Sequence, residues 1–162
     1  MSTTIYDFTK DSSNSDWQIV DDGVMGGKSQ GNFEIDESGR GKFYGDVSTK
    51  NNGGFSSVRC ALNSVKVNDG STILLTLKGD GKNYQFRIKD KSSSSHSYIT
   101  TFSTSGDWQK IEIQLDDLVP SFRGQKLKMP NFHHDSFEEM AFLIGNKKDE
   151  SFQLLIDKIE LK

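Results

Sequence analysis

Two adjacent carboxylates, Asp21 and Asp22, stand between a tryptophan and three glycines in Trp17-Gln18-Ile19-Val20-Asp21-Asp22-Gly23-Val24-Met25-Gly26-Gly27-Lys28-Ser29. Three glycines in one helix would each cost about 1 kcal/mol relative to alanine, so the stretch reads as a shaped loop whose backbone comes close to something. Two chemistries are open to it. Asp22 can anchor a ligand, a partner or a calcium ion, or a side-chain oxygen can cap backbone amides within the turn. Val24-Met25-Gly26-Gly27 can present a concavity of amides to an anion or carbonyl. It has neither the lysine of a phosphate-binding loop nor G-x-G-x-x-G spacing, which argues against a nucleotide. Met25 is either a buried plug or a soft contact for a protein partner. Asp22, Met25, Gly26 and Gly27 are the first group of candidate binding residues.

A second group follows in Asn51-Asn52-Gly53-Gly54-Phe55-Ser56-Ser57-Val58-Arg59. Alternation from Phe55 sets Ser57 and Arg59 on one face and Ser56, Val58 and Cys60 on the other. Gly53, Gly54, Phe55 and Arg59 are candidates here. Arg59 is read either as part of a functional surface or as an organising salt bridge to Asp22. Gln85 and Arg87 share the polar face of their segment, opposite Tyr84 and Phe86. On a concave sheet that face would bind a sugar or peptide; otherwise it is solvated.

Catalytic and metal constellations are not expected. His133-His134 lacks a third ligand at zinc spacing, and His96 lies in a serine-rich loop. Cys60 has no neighbouring histidine and points inward by alternation. Asp116-Asp117 are adjacent at a strand end and point to opposite sides, so they do not flank one bond.

Composition narrows the field. The chain has 162 residues, 33% hydrophobic and 27% charged, with net charge −3 and one cysteine. No lysine or arginine block suggests a nucleic-acid footprint. A single cysteine allows no internal disulfide, which fits a reducing compartment. The N-terminus carries no basic region and no apolar run of signal length, and no stretch is apolar enough to span a bilayer. The expectation is a soluble cytoplasmic protein.

The elements that must hold these residues alternate with period two. Phe33 and Ile35, Phe43 to Val47, Ile73 to Leu77, Tyr84 to Ile88, and Ile111 to Leu115 each predict a half-buried strand. Met140–Ile144 and Phe152–Ile159 predict buried strands. Asp36-Glu37-Ser38-Gly39-Arg40-Gly41, Asn68-Asp69-Gly70 and Gly79-Asp80-Gly81-Lys82-Asn83 carry turn chemistry. Lys89–Ser97 reads as an exposed hairpin tip. One helical turn is placed in Asp116–Phe122 and another in Asp135–Glu139, capped by Asp135. Trp17 and Trp108 are read as core residues rather than sugar platforms because each adjoins a strand start. The pattern predicts an all-β sandwich or jelly roll, one domain over residues 1–162, with at most one or two short helical turns. The chain ends are expected to meet.

The motifs W-x-x-x-x-D-G-V-M-G-G-x-S and G-G-F-x-S-V-R resemble the complex I intermediate-associated protein family. The resemblance continues in Gly79-Asp80-Gly81, Tyr84-Gln85-Phe86-Arg87, Trp108-Gln109, Pro120-Ser121-Phe122-Arg123-Gly124 and Phe152 to Ile159, covering nearly the whole chain in family order. It implies a galactose-binding-like β-sandwich and adds Arg123 to the candidate residues. Asp22 matches the family's aspartate, whereas Asp21 departs from the asparagine common there. The resemblance also implies a non-catalytic, chaperone-like assembly factor. Its partner would be a protein client, such as a subunit of a membrane-associated respiratory or other complex. The alternative is a carbohydrate-binding module. No cofactor is implied beyond a structural calcium ion near the chain ends, for which Asp7 and Asp157 are the candidates.

Overall fold

A computed structural model describes residues 3–21, 27–68 and 70–162, without the side chain of Asn52. Thirteen strands are described: β1 Thr3–Asp7, β2 Trp17–Asp21, β3 Gln30–Ile35, β4 Gly41–Val47, β5 Ser56–Lys66, β6 Thr72–Lys78 and β7 Asn83–Lys89. Then come β8 Ser97–Ser103, β9 Trp108–Gln114, β10 Val119–Phe122, β11 Gln125–Lys126, β12 Ser136–Ile144 and β13 Glu150–Leu161. They form two antiparallel sheets. One runs β3-β4-β13-β6-β9, with β1 also paired to β13; the other runs β11-β10-β8-β7-β12-β5-β2.

The period-two segments become these strands because one face of each is apolar. Ile73, Leu75 and Leu77 of β6, with Leu154, Ile156 and Ile159 of β13, are fully buried against Val58, Phe86, Ile88 and Phe142 of the other sheet. Burying each such side chain contributes about 1.5–3 kcal/mol, so the register is held by the core. Thr3 pairs with Leu161 and Asp7 with Lys158, so the chain ends meet as expected. Lys89–Ser97 joins β7 to β8 as the expected hairpin connection.

Two expectations are corrected. Asp135–Glu139 does not hold a helical turn: β12 already runs from Ser136. Phe137 and Met140 are both fully buried, a spacing of three that mimics a helix. Its cause is a bulge, since Phe137 pairs with Val65 but Glu139 with Ala61. The other correction concerns Trp108, which is 42% exposed at the start of β9, not in the core. Ile111 and Ile113 face inward, so alternation turns Trp108 outward with Lys110 and Glu112. Trp17, by contrast, is buried and stacks at 5.6 Å on Phe8. The turn expected in Asp116–Phe122 appears one residue earlier, as a single 3-10 turn at Leu115–Asp117. Asn14–Asp16 and Lys50–Asn52 form two more such turns among the described residues.

Candidate functional site

Pairing across the seven-stranded sheet sets one row of side chains on its outer face. Ile99 of β8 pairs with Arg87 of β7, Arg87 with Ala141 of β12, Ala141 with Arg59 of β5, and Arg59 with Gln18 of β2. The next row carries Thr101, Gln85, Leu143, Ser57 and Val20. Alternation drives this arrangement, since Phe86, Val58 and Met140 take the inner face and oblige their neighbours outward.

Arg59 and Arg87 thus flank one alanine. The Arg87 guanidinium donates to Gln85 Oε1 at 2.9 Å. Burial first, then the positive charge of Arg59, lowers its pKa to about 10, while Glu139 acts in the opposite sense. Among the described residues neither arginine forms an ion pair. Two cations over a floor of Ala141 and Leu143 repel each other, and a carboxylate placed between them would relieve that repulsion.

A groove of about 560 Å³ adjoins the row, lined by Gln18, Val20, Arg59, Ala61 and Glu139 and by Tyr6 and Asp16. Tyr6 donates its hydroxyl to Asp16 at 2.7 Å, and burial, followed by that carboxylate, pushes the phenol up to about 12. Cys60 lies beneath, buried, its thiol pushed up to about 12 chiefly by desolvation. A thiol held protonated in this way is no nucleophile.

The candidates divide into those brought together and those kept apart. Gln85, Arg87 and Arg59 share the outer face. Gly53, Gly54 and Phe55 lie just before β5, at the end of that face, where the Gly54 carbonyl is 3.1 Å from where a Cβ on Gly145 would sit. Arg123 is set apart on the β10–β11 turn, at the far edge of the sheet, with its guanidinium 5.3 Å from the Phe122 ring centre. Asp22, Met25 and Gly26 lie outside the described residues, as does the Asp22 partner weighed for Arg59; Gly27 is half-buried before β3. Asp157 pairs with Arg40 at 3.5 Å, and Asp7 is exposed. No group of three or more His, Cys, Asp or Glu side chains forms a metal site among the described residues.

Glu139, Gln18, Tyr6 and Asp16 escaped the sequence reading. Gln18 and Glu139 reach the site through long-range pairing with β5, Tyr6 lies on β1 of the other sheet, and Asp16 lies in the turn before β2, where it accepts from Tyr6. Gln18 alone left a signal, since it alternates with the inward Trp17.

Two carboxylates serve the fold at its corners. Asp21 accepts from the Gly31 N–H at 2.9 Å and from the Ser56 hydroxyl at 2.5 Å, tying β2, β3 and β5. A Cβ on Gly31 would sit 2.0 Å from Ser56 Oγ, so only glycine admits this corner. Asp80 accepts from the Tyr84 hydroxyl, the Gln153 N–H and Lys82 Nζ at 2.9, 2.9 and 3.3 Å. It thereby links β7 of one sheet to β13 of the other.

Sequence comparison with curated proteins finds no match. Among solved structures, a family 11 carbohydrate-binding module from Clostridium thermocellum in complex with a β-1,3-1,4-mixed-linked tetrasaccharide superposes with a TM-score of 0.73. It is 17% identical and is aligned over 99% of this chain and 94% of that one. The family 11 module of the cellulosomal cellulase Lic26A-Cel5E of the same organism gives 0.72 at 16% identity, over 99% and 94%. An exo-β-agarase gives 0.62 at 10% identity, over 98% of this chain but 25% of that one. These likenesses establish a galactose-binding-like jelly-roll fold. No helix among the described residues is long and apolar enough to cross a membrane. The model of complex I intermediate-associated protein 30 matches residues 6–156, and the chain belongs to that family.

Proposed function

We propose that this protein is a non-catalytic, chaperone-like binding domain that holds a protein client during assembly of a membrane-associated complex. The surface engaged is the row of Arg59 and Arg87 with Gln85 and the adjoining groove. The observation that carries the reading is the two arginines over Ala141, without an ion-pair partner among the described residues. A client segment bearing a carboxylate fits them: each arginine offers a planar fork of donors, and the floor accepts an aliphatic side chain. Family membership points the same way. The test is complex assembly in a strain lacking the gene, restored with the wild-type chain or with Arg59→Ala, Arg87→Ala. Failure to assemble without the gene, rescued by the first chain and not the second, is the expected result. Normal assembly at a normal rate in its absence contradicts the reading.

A sugar-binding role is the second reading, favoured by the fold and by one exposed aromatic. Trp108 lies on the outer face of the six-stranded sheet, its ring covered at 4.7 Å by the Arg40 guanidinium. The arginine row, by contrast, bears no aromatic side chain among its described residues. A glycan array on which the protein binds, with binding abolished by Trp108→Ala, supports this role. An array with no signal above background removes it.

A further inference from the structure

Between Asp117 and Asp135 the chain has no acidic residue, and it holds Arg123, Lys126 and Lys128. The whole molecule carries −3, so this is a local reversal of charge. Among the described residues, two of the three large, well-exposed apolar side chains lie in the same segment: Phe122 at 38% and Met129 at 42%. None of the three cations forms an ion pair among the described residues.

The segment is held in a fixed shape. Phe122 pairs with Gln125, and the two residues between them, Arg123 and Gly124, have φ of 51° and 80°. Positive φ at both central positions makes a tight hairpin whose twist matches its strands. The Leu127 N–H donates to the Pro120 carbonyl at 3.0 Å, and the Phe132 N–H to Leu118 at 2.9 Å. The chain's two prolines, Pro120 and Pro130, bracket the loop. A side chain presented by such a loop loses little conformational freedom on contact.

We propose that the β10–β11 hairpin docks the protein on an anionic lipid surface. Phe122 and Met129 enter the headgroup boundary while Arg123, Lys126 and Lys128 face lipid phosphates and carboxylates. Phe122 stands on the hairpin at the outer edge of the sheet and Met129 in the bend just after it, not around a recess, which suits insertion between headgroups. Apolar insertion and basic charge are each weak alone and bind together. The remaining acidic surface is repelled, so the hairpin fixes one orientation. It leaves the Arg59–Arg87 face, several strands away, uncovered.

The test uses the full chain with an environment-sensitive fluorophore on Phe122→Cys. A second chain, labelled at the exposed Asn32→Cys on the six-stranded sheet, is the reference. Cys60 is buried and its thiol protonated, so the label goes to the introduced cysteine. The probes are vesicles of phosphatidylcholine alone or mixed with phosphatidylserine. The label at position 122 should blue-shift with the anionic vesicles only, and the label at position 32 should not respond. Arg123→Asn, Lys126→Gln, Lys128→Gln together should weaken partitioning on the order of 100-fold. Met129→Ser, which keeps every charge, should weaken it roughly tenfold. Silence at position 122, an equal response to neutral vesicles, or an equal response at both positions overturns the proposal. So does a response at position 122 to polyglutamate without one to vesicles, which would make the hairpin a protein contact.

Discussion

Asp80 and the Arg59–Arg87 pair are both charged features of this sandwich, and the fold treats them in opposite ways. Asp80 receives a tyrosine hydroxyl, a backbone N–H and a lysine, and through them joins the two sheets. The arginines face each other across an alanine with one glutamine as a near partner. A charge whose hydrogen-bonding capacity is used up by its own chain holds the structure. A charge left beside a like charge raises the energy of the free protein, a cost that a ligand of opposite charge would relieve. The contrast separates residues that resemble each other in sequence, since both regions carry family motifs.

The largest effect should come from the corner. Asp80→Ala strands the buried Tyr84 hydroxyl and the Gln153 N–H, and should lower the unfolding free energy by about 2–4 kcal/mol in urea denaturation. Tyr84→Phe removes the hydroxyl but leaves Asp80 its other donors, and should lose about 1 kcal/mol in the same assay. Arg87→Met should move stability the other way. The folded protein depresses the pKa of Arg87 to about 10, so the penalty on its charge is present below that pH and fades as pH rises toward the unfolded value. Removing the charge should therefore raise stability between pH 6 and pH 9 by about 1 kcal/mol, allowing for partial exposure. A loss of stability on Arg87→Met would place that arginine with Asp80 and dissolve the comparison. The smallest effect should be that of Trp108→Ala, a change of about 0.5 kcal/mol from the lost cation–π contact at a surface site.

The strands were legible because one apolar face per strand leaves a period-two trace. The trace failed where Phe137 and Met140 flank a bulge, which shifts the phase and looks helical. It was overruled by proximity to a strand start at Trp108, although parity with Ile111 and Ile113 already turned that residue outward. The site was legible in its parts. Arg59, Gln85 and Arg87 were singled out, but their adjacency depends on β12 lying between β5 and β7. That order comes from long-range pairing, on which local sequence is silent. Glu139 is invisible for the same reason, and the alternation that turns Gln18 outward does not say which strand it faces. The turn-capping role weighed mainly for Asp22 falls outside the described residues; its neighbour Asp21 ties strands instead, through Gly31 and Ser56, which are distant in the chain.

The most direct measurement pairs affinity capture with thermal unfolding for the wild type and the Arg59→Ala, Arg87→Ala chain. The tagged protein is recovered from its own host in mild detergent. The expected result is a membrane-complex subunit retained by the wild type and lost by the variant, with a melting temperature unchanged or raised. Retention of the same subunit by the variant, or a marked fall in its melting temperature, would contradict the assignment of this row to client binding.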